Sequence, residues 1–104
     1  MNVDTAALLE TINSCFEFSM DGRLTEPARD EFLARGKRLR RQQVELLAAE
    51  FEKGNAAVLD ANARILAVNV TLQEKQEVLE RTADVLTNLA GLAKSLDGLL
   101  NIAA

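Results

Sequence analysis

The charged residues with the densest spacing form a basic cluster near the middle of the chain. Five of the twelve positively charged residues lie there, namely Arg35, Lys37, Arg38, Arg40 and Arg41. Such a cluster can bind nucleic acid or an acidic protein, or it can be a solvated helix face that needs no partner. At about 100° per residue the five spread around most of a helix instead of forming one stripe. This spread, with no aromatic residue interleaved, favours the solvated face.

A second cluster, of acidic residues, could in principle hold a metal ion. Glu77, Glu80 and Asp84 follow one another at spacings of four or less and share one helix face. Carboxylate metal sites in helical bundles pair Glu with a His three residues further on. The chain contains no His. We therefore expect a charged surface here, with no metal site and no cofactor.

The single cysteine is the remaining candidate for chemistry. A catalytic thiol needs a basic partner that favours the thiolate. Cys15 shares an apolar helix face with Ile12 and Phe16, and the nearest charges are the acids Glu10 and Glu17. We expect a small buried side chain. No glycine-rich phosphate loop or serine-hydrolase elbow occurs, so we expect no catalytic residue, no small-molecule substrate and no enzyme activity.

The composition limits the class of protein. The chain has 104 residues, of which 48% are hydrophobic and 27% charged, with a net charge of −4. These values are typical of one globular domain and argue against general affinity for nucleic acid. One cysteine fits a reducing compartment. No secretory leader and no apolar stretch of about 18 residues is evident, so we expect a cytoplasmic protein that does not enter the membrane.

The most regular element is a predicted helix over residues 55–100. Every seventh residue in it is apolar, which is typical of a helix packed against another helix: Val58, Ile65, Leu72, Leu79, Leu86, Ala93 and Leu100. Two further helices are predicted over residues 4–20 and 26–53. Their boundaries follow from capping and turn residues. Asp4 or Thr5 can cap the first helix, and Thr25 before Pro27 begins the second. Gly54-Asn55 separates the second helix from the third.

These elements predict an all-α fold of three helices in a single domain, residues 1–104. A short N-terminal helix precedes a long antiparallel helical hairpin with coiled-coil-like packing. Gly36 is placed to allow a close helix contact. An alternative is one helix that runs from Glu26 to the C-terminal end with Gly54 inside it. Whether the first helix packs on its own chain or on another stays open.

Two strongly apolar regions predict the function. The first helix and the C-terminal third are apolar on more than one side, so we expect a protein partner, a homodimer or both. The predicted partner-binding residues are Leu8, Ile12, Phe16, Leu86, Leu89, Leu92, Leu96 and Leu100.

The expected function is non-catalytic protein binding by an adaptor, a secretion-chaperone-like factor or an inhibitory partner. The predicted shape is similar to small helical-hairpin chaperones of bacterial export systems. The alternative is a nucleic-acid-associated regulator that uses the cluster from Arg35 to Arg41, although nucleic acid is the weaker expectation.

Overall fold

The fold is all-helical, as the sequence predicts. A computed structural model describes residues 1–103 of the chain. It contains five α-helices in the order α1 Thr5–Phe18, α2 Glu26–Leu47, α3 Ala56–Gln73, α4 Lys75–Glu80 and α5 Thr82–Ala103. None of these helices has both the length and the apolar character of a membrane span.

The predicted helix starts are confirmed at three positions. The side chain of Asp4 accepts a hydrogen bond from the amide of Ala7 and so caps α1. Thr25 caps α2 in the same way. Asn55 caps α3 and directly follows Gly54, whose φ of 80° is a left-handed conformation that favours glycine. Gly54 therefore lies in a turn, and the alternative of one helix through it is wrong.

The second helix ends earlier than predicted, at Leu47 instead of Lys53. The segment that follows is held by the N-terminal residues. The Phe51 amide donates to the Met1 carbonyl at 2.9 Å, and the Met1 amino group donates to the Phe51 carbonyl at 2.8 Å. The ring of Phe51 is also buried. These tertiary contacts favour a non-helical path that the local sequence does not indicate.

The predicted continuous helix over residues 55–100 is wrong, because the chain leaves helical geometry twice. Glu74 (ψ 75°) separates α3 from α4, and Arg81 (φ −126°) separates α4 from α5. A rod of that length would measure about 68 Å, whereas the longest extent of the molecule is 43 Å. Turning back lets α3 and α5 bury their apolar stripes on the same core.

The four longer helices surround the core in the order α1, α2, α5, α3. Each contacts its two neighbours, and no Cα atom of α2 lies within 8 Å of a Cα atom of α3. The predicted α2–α3 hairpin is therefore not formed, and these two helices lie diagonally opposite. The connection over residues 48–55 is long enough to cross the end of the bundle. The first helix packs on its own chain, against α2 and α3.

The contacts between helices also define their directions. Gln43 of α2 donates to the carbonyl of Thr5, near the start of α1, so α1 and α2 are antiparallel. The Asp4 amide donates to Asn62 and the Thr11 hydroxyl to Asn69, so α1 and α3 run parallel. These polar contacts fix the register of α1 on α3, because the paired residues keep the same separation along both helices.

The α1–α2 contact is unusually close, as predicted from Gly36. A Cβ atom placed on Gly36 would lie 2.7 Å from Cε1 of Phe16. Nearby, the rings of Phe18 and Phe32 pack with their centroids 5.2 Å apart. The aromatic part of the core is therefore built by the first two helices and by Phe51 of the connection that follows them, whereas α3 and α5 contribute aliphatic side chains.

Candidate protein-binding surfaces

The residues predicted to bind a partner form the core of the bundle. Leu8, Ile12, Leu89, Leu92 and Leu96 are completely buried, Leu86 is almost so, and Phe16 and Leu100 are half-buried against the same core. This set offers no open docking surface in the structure, because neighbouring helices cover both sides of the apolar stripes of α1 and α5. Partner binding by these residues stays a prediction.

The basic cluster is divided between two sides of α2. Lys37, Arg40 and Arg41 are exposed on the outer side, whereas Arg35 and Arg38 lie at the boundary with α5 and are partly buried. The five cations therefore do not form one continuous stripe. The outer three make no ion pair with any carboxylate of residues 1–103.

Arg38 takes part in a polar network that joins α2 to α5. Its guanidinium pairs with the carboxylate of Asp97. Nε2 of Gln42 donates to the other Asp97 oxygen at 2.7 Å and to the Ala93 carbonyl at 2.8 Å. These hydrogen bonds, that from Arg38 first, lower the pKa of Asp97 below its ordinary value. Arg38 is therefore engaged within the chain.

Arg35 differs from Arg38 because nothing in residues 1–103 neutralises it. It forms no ion pair with these residues, and its buried Nε atom has no hydrogen-bond partner among them. The side chain lines a groove of about 320 Å³ between α2 and α5, together with Glu31, Ala83, Leu86, Thr87 and Ala90. This groove is the part of the basic cluster with an unpaired, partly buried cation.

The outer edge of α3 carries an apolar stripe that the bundle does not cover. Leu59, Leu66 and Val70 have exposed fractions of 52%, 59% and 65%. At about 100° per residue they lie within about 40° of one another, and the exposed Ala63 lies beside them. We call these four residues the α3 face. It contains no charged side chain.

Charges border the α3 face on both sides. Towards α5, Asp60 and Arg64 neutralise each other through an ion pair of 2.8 Å. Towards α1, Asn69 donates to the Ala7 carbonyl at 2.9 Å, so Ala7 marks the side of α1 that meets α3. The exposed acids Glu10 and Glu17 are rotated from Ala7 by about 60–80° about the axis of α1, in the direction away from the core. This border is therefore acidic.

The thiol of Cys15 is buried, as predicted. Burial raises its pKa to about 12, because a thiolate is poorly solvated in an apolar environment. The thiol therefore stays protonated at neutral pH and is a poor nucleophile. Within residues 1–103, no group of carboxylate or thiol side chains is arranged to hold a metal ion.

A groove of about 430 Å³ lies between α3 and α5. Three of its polar side chains bond within their own helices. Arg64 pairs with Asp60 through Nε, and the Thr71 and Thr87 hydroxyls donate to backbone carbonyls. The Asn88 side chain also lines the groove. No buried unpaired polar atom in the described part of the chain faces this groove, so it is a weaker candidate than the α3 face.

The α3 face is the feature that sequence reasoning missed. The seven-residue repeat through Val58, Ile65 and Leu72 identifies the buried side of α3 correctly. A second stripe, about 120° away from Ile65, was visible in the sequence because only Asp60 and Arg64 are charged in residues 56–73. A helix that is apolar on two sides is the available signal.

No protein-family model matches the chain, and no curated protein sequence and no solved structure match it.

Proposed function

We propose that the chain is a non-catalytic protein-binding protein of the cytoplasm, and that the α3 face binds an amphipathic helix of a partner protein. The observation that carries the proposal is the exposure of three large apolar side chains on one edge of one helix. Scattered apolar residues are common on protein surfaces, whereas a continuous stripe is typical of an interaction site.

The dimensions of the α3 face suit a helix. Leu59 and Val70 are separated by about 16 Å along α3, which is three turns. Helices that bind in grooves use apolar anchors over a similar length, at spacings of three, four and seven residues. Ala63 lies between Leu59 and Leu66, and its small side chain allows a partner side chain to enter there.

The charges around the α3 face define the chemistry of the partner. The border towards α5 is neutral, whereas the border on α1 carries Glu10 and Glu17 and no cation. A partner helix with basic residues along one flank therefore complements this face. A second copy of the chain is the other occupant to test, because α2 exposes Val44 and Leu47 in the same helix as Arg40.

Synthetic peptides test the proposal directly. The probe is a fluorescein-labelled helical peptide with a leucine stripe and lysine on one flank, and its comparison peptide carries glutamate on that flank. We expect the lysine peptide to bind more tightly, and Leu66→Glu to weaken it by at least about tenfold. Leu47→Glu makes the same change at an exposed position of α2, the helix diagonally opposite α3, so it is the matched control and leaves binding unchanged.

Two results would contradict this proposal. If Leu66→Glu, folded by circular dichroism, binds the lysine peptide as the wild type does, the α3 face is not the site. If sedimentation shows a wild-type dimer that Leu66→Glu converts to monomer, a second copy occupies the face and a separate partner does not. A wild type that is monomeric and binds the peptide supports a separate partner.

The alternative function, a nucleic-acid-associated regulator, draws support from Lys37, Arg40 and Arg41. These three cations are exposed on one side of α2 and pair with no carboxylate of residues 1–103. Binding to labelled DNA or RNA, measured at two salt concentrations, tests it. Salt-sensitive binding that is lost in the double variant Arg40→Glu, Arg41→Glu favours this function, and salt-insensitive or absent binding contradicts it.

A further inference from the structure

Arg35 is partly buried, where a cation usually forms an ion pair or hydrogen bonds, and within residues 1–103 it forms neither. Its Nε atom is buried without a hydrogen bond, although most buried polar groups in folded proteins are paired. The neighbouring Arg38 is the contrast, because its guanidinium pairs with Asp97. A partly buried cation that is left unpaired costs free energy of folding, and an anion that enters the groove from outside would offset this cost.

The nearest candidate partner on the same helix does not neutralise Arg35. Glu31 lies four residues earlier, a spacing at which acidic and basic side chains often pair. Both side chains line the α2–α5 groove, yet they form no ion pair. The guanidinium group therefore remains available to a group that enters the groove.

The other walls of the groove are mainly apolar, and the one further polar side chain, Thr87, donates its hydroxyl to the Ala83 carbonyl. Ala83, Leu86 and Ala90 of α5 face Glu31 and Arg35 of α2 across a volume of about 320 Å³. This volume is at the lower limit of common ligand sites and accommodates one or two side chains. An arginine above an apolar floor is suited to a carboxylate that arrives on an aliphatic stem, since the guanidinium fork binds carboxylates through two hydrogen bonds.

We propose that the α2–α5 groove binds a single glutamate or aspartate side chain that is flanked by apolar residues on a protein partner, with Arg35 as the recognition residue. Nucleic acid fits less well, because Glu31 in the groove and Asp84 beside Ala83 would repel a continuous phosphate backbone. A single carboxylate flanked by apolar residues brings one negative charge close to Glu31 instead of several, and it uses the apolar floor. The groove lies away from the α3 face, so this inference does not depend on the function proposed above.

Nuclear magnetic resonance can observe the binding group itself. The probe is a helical peptide of alanine and leucine with one central glutamate, and the matched peptide has glutamine at that position. We expect the glutamate peptide to shift the Nε–Hε resonance of Arg35 and the amides of Ala83 and Ala90. The glutamine peptide should bind at least about tenfold more weakly, because it lacks the charge that strengthens both hydrogen bonds.

Variants separate recognition from general charge attraction. Arg35→Gln removes the charge and should abolish binding as measured at the amides of Ala83 and Ala90. Arg35→Lys keeps the charge without the planar fork and should weaken binding by at least about threefold. Arg40→Gln is the matched control, because it removes one exposed cation from the other side of α2, and binding should change by less than about twofold.

Three results would overturn the inference. The first is equal affinity for the glutamate and glutamine peptides, and the second is undiminished binding by Arg35→Lys. The third is single-stranded DNA that displaces the glutamate peptide and shifts Arg35 at lower concentration than the peptide does, which would assign the groove to nucleic acid. Should Arg35→Gln fail to fold, the peptide pair and Arg35→Lys still decide the question. Loss of peptide binding in Leu66→Glu, with the Arg35 shift intact, shows that the two surfaces are separate.

Discussion

The helices α3 and α5 come from one stretch with a single seven-residue repeat, yet they use their apolar residues differently. Both contact two of the longer helices and the short helix α4. In α5 the leucines point almost entirely into the core, and the outer side carries Thr87, Asn88, Lys94 and Gly98. In α3 an equally regular inner stripe is buried, whereas Leu59, Leu66 and Val70 remain exposed on the outer edge.

This difference shows that the density of leucine is a poor guide to an interaction surface. The C-terminal third is the most leucine-rich part of the chain, and its leucines are used to hold the bundle together. The helix with the uncovered apolar edge is α3, because its apolar residues exceed what one buried side can accommodate. The informative quantity is therefore the number of apolar sides of a helix relative to the number of neighbours that cover it.

The largest expected effect comes from truncating one leucine in each helix, which tests whether the apolar residues of α5 are buried and those on the outer edge of α3 are not. Leu89→Ala removes a fully buried side chain from α5, and we expect the free energy of unfolding to fall by about 2–5 kcal/mol. Leu66→Ala removes the same atoms from the exposed edge of α3, and the expected change is below about 0.5 kcal/mol. Urea denaturation measures both. Similar losses in the two variants would contradict the placement of Leu66 on the surface.

Glycine substitutions extend the comparison to the spacing between helices, with a smaller expected effect. Gly36→Ala places a Cβ atom against Phe16 and should lower the free energy of unfolding by about 1–3 kcal/mol. On the open outer side of α5, a Cβ atom at Gly98 meets nothing within 4 Å. Gly98→Ala should therefore raise stability by about 0.5–1 kcal/mol through helix propensity. Thermal melts of both variants check the opposite signs.

Removal of one carboxylate from each helix has the smallest expected effect. Asp97 of α5 pairs with Arg38 of another helix, whereas Asp60 of α3 pairs with Arg64 of its own helix. Both pairs are substantially exposed, so Asp97→Asn should cost less than about 1 kcal/mol and Asp60→Asn less than about 0.5 kcal/mol. Urea denaturation at pH 7 and at low pH measures both changes, because urea is uncharged and does not screen the ion pairs.

The lowered pKa of Asp97 predicts how its contribution to the free energy of unfolding changes with pH. Because hydrogen bonds lower the pKa of Asp97, the folded state holds this carboxylate ionised more strongly than the unfolded state does. The stabilisation is present above the ordinary Asp pKa of about 3.9 and is lost as the pH falls through the lowered value. The difference in stability between wild type and Asp97→Asn should therefore shrink below about pH 4. A constant difference would contradict this origin.

Local signals predicted where helices begin because each signal acts over a few residues. Asp4, Thr25 and Asn55 accept hydrogen bonds from amides of the next turn, and the left-handed Gly54 ends the preceding segment. The break at Glu74 has no such signal. It arises because α3 and α5 bury more apolar surface by packing on each other than by continuing as one rod, and that gain depends on contacts between distant residues.

The candidate sites also combine features that the sequence indicated with features that depend on contacts between distant residues. The sequence indicated that the basic cluster does not form one stripe, and it contained the second apolar side of α3. It did not indicate that α2 and α5 lie next to each other, which is what leaves Arg35 at the edge of a groove and gives Arg38 a partner in Asp97. Contacts between parallel helices that are far apart in the chain leave no periodic signal in either helix.

By itself, the amino-acid sequence indicated that this protein is all-helical, where three of its five helices begin, that Gly36 allows a close contact and that Cys15 is buried. These properties depend on interactions within a turn or along one helix face, so they can be read from spacing. Only the tertiary structure decided the order of helices around the core, the division of the long repeat and the surfaces left exposed. Those depend on which apolar faces cover one another, and several arrangements of the same helices satisfy the same spacing.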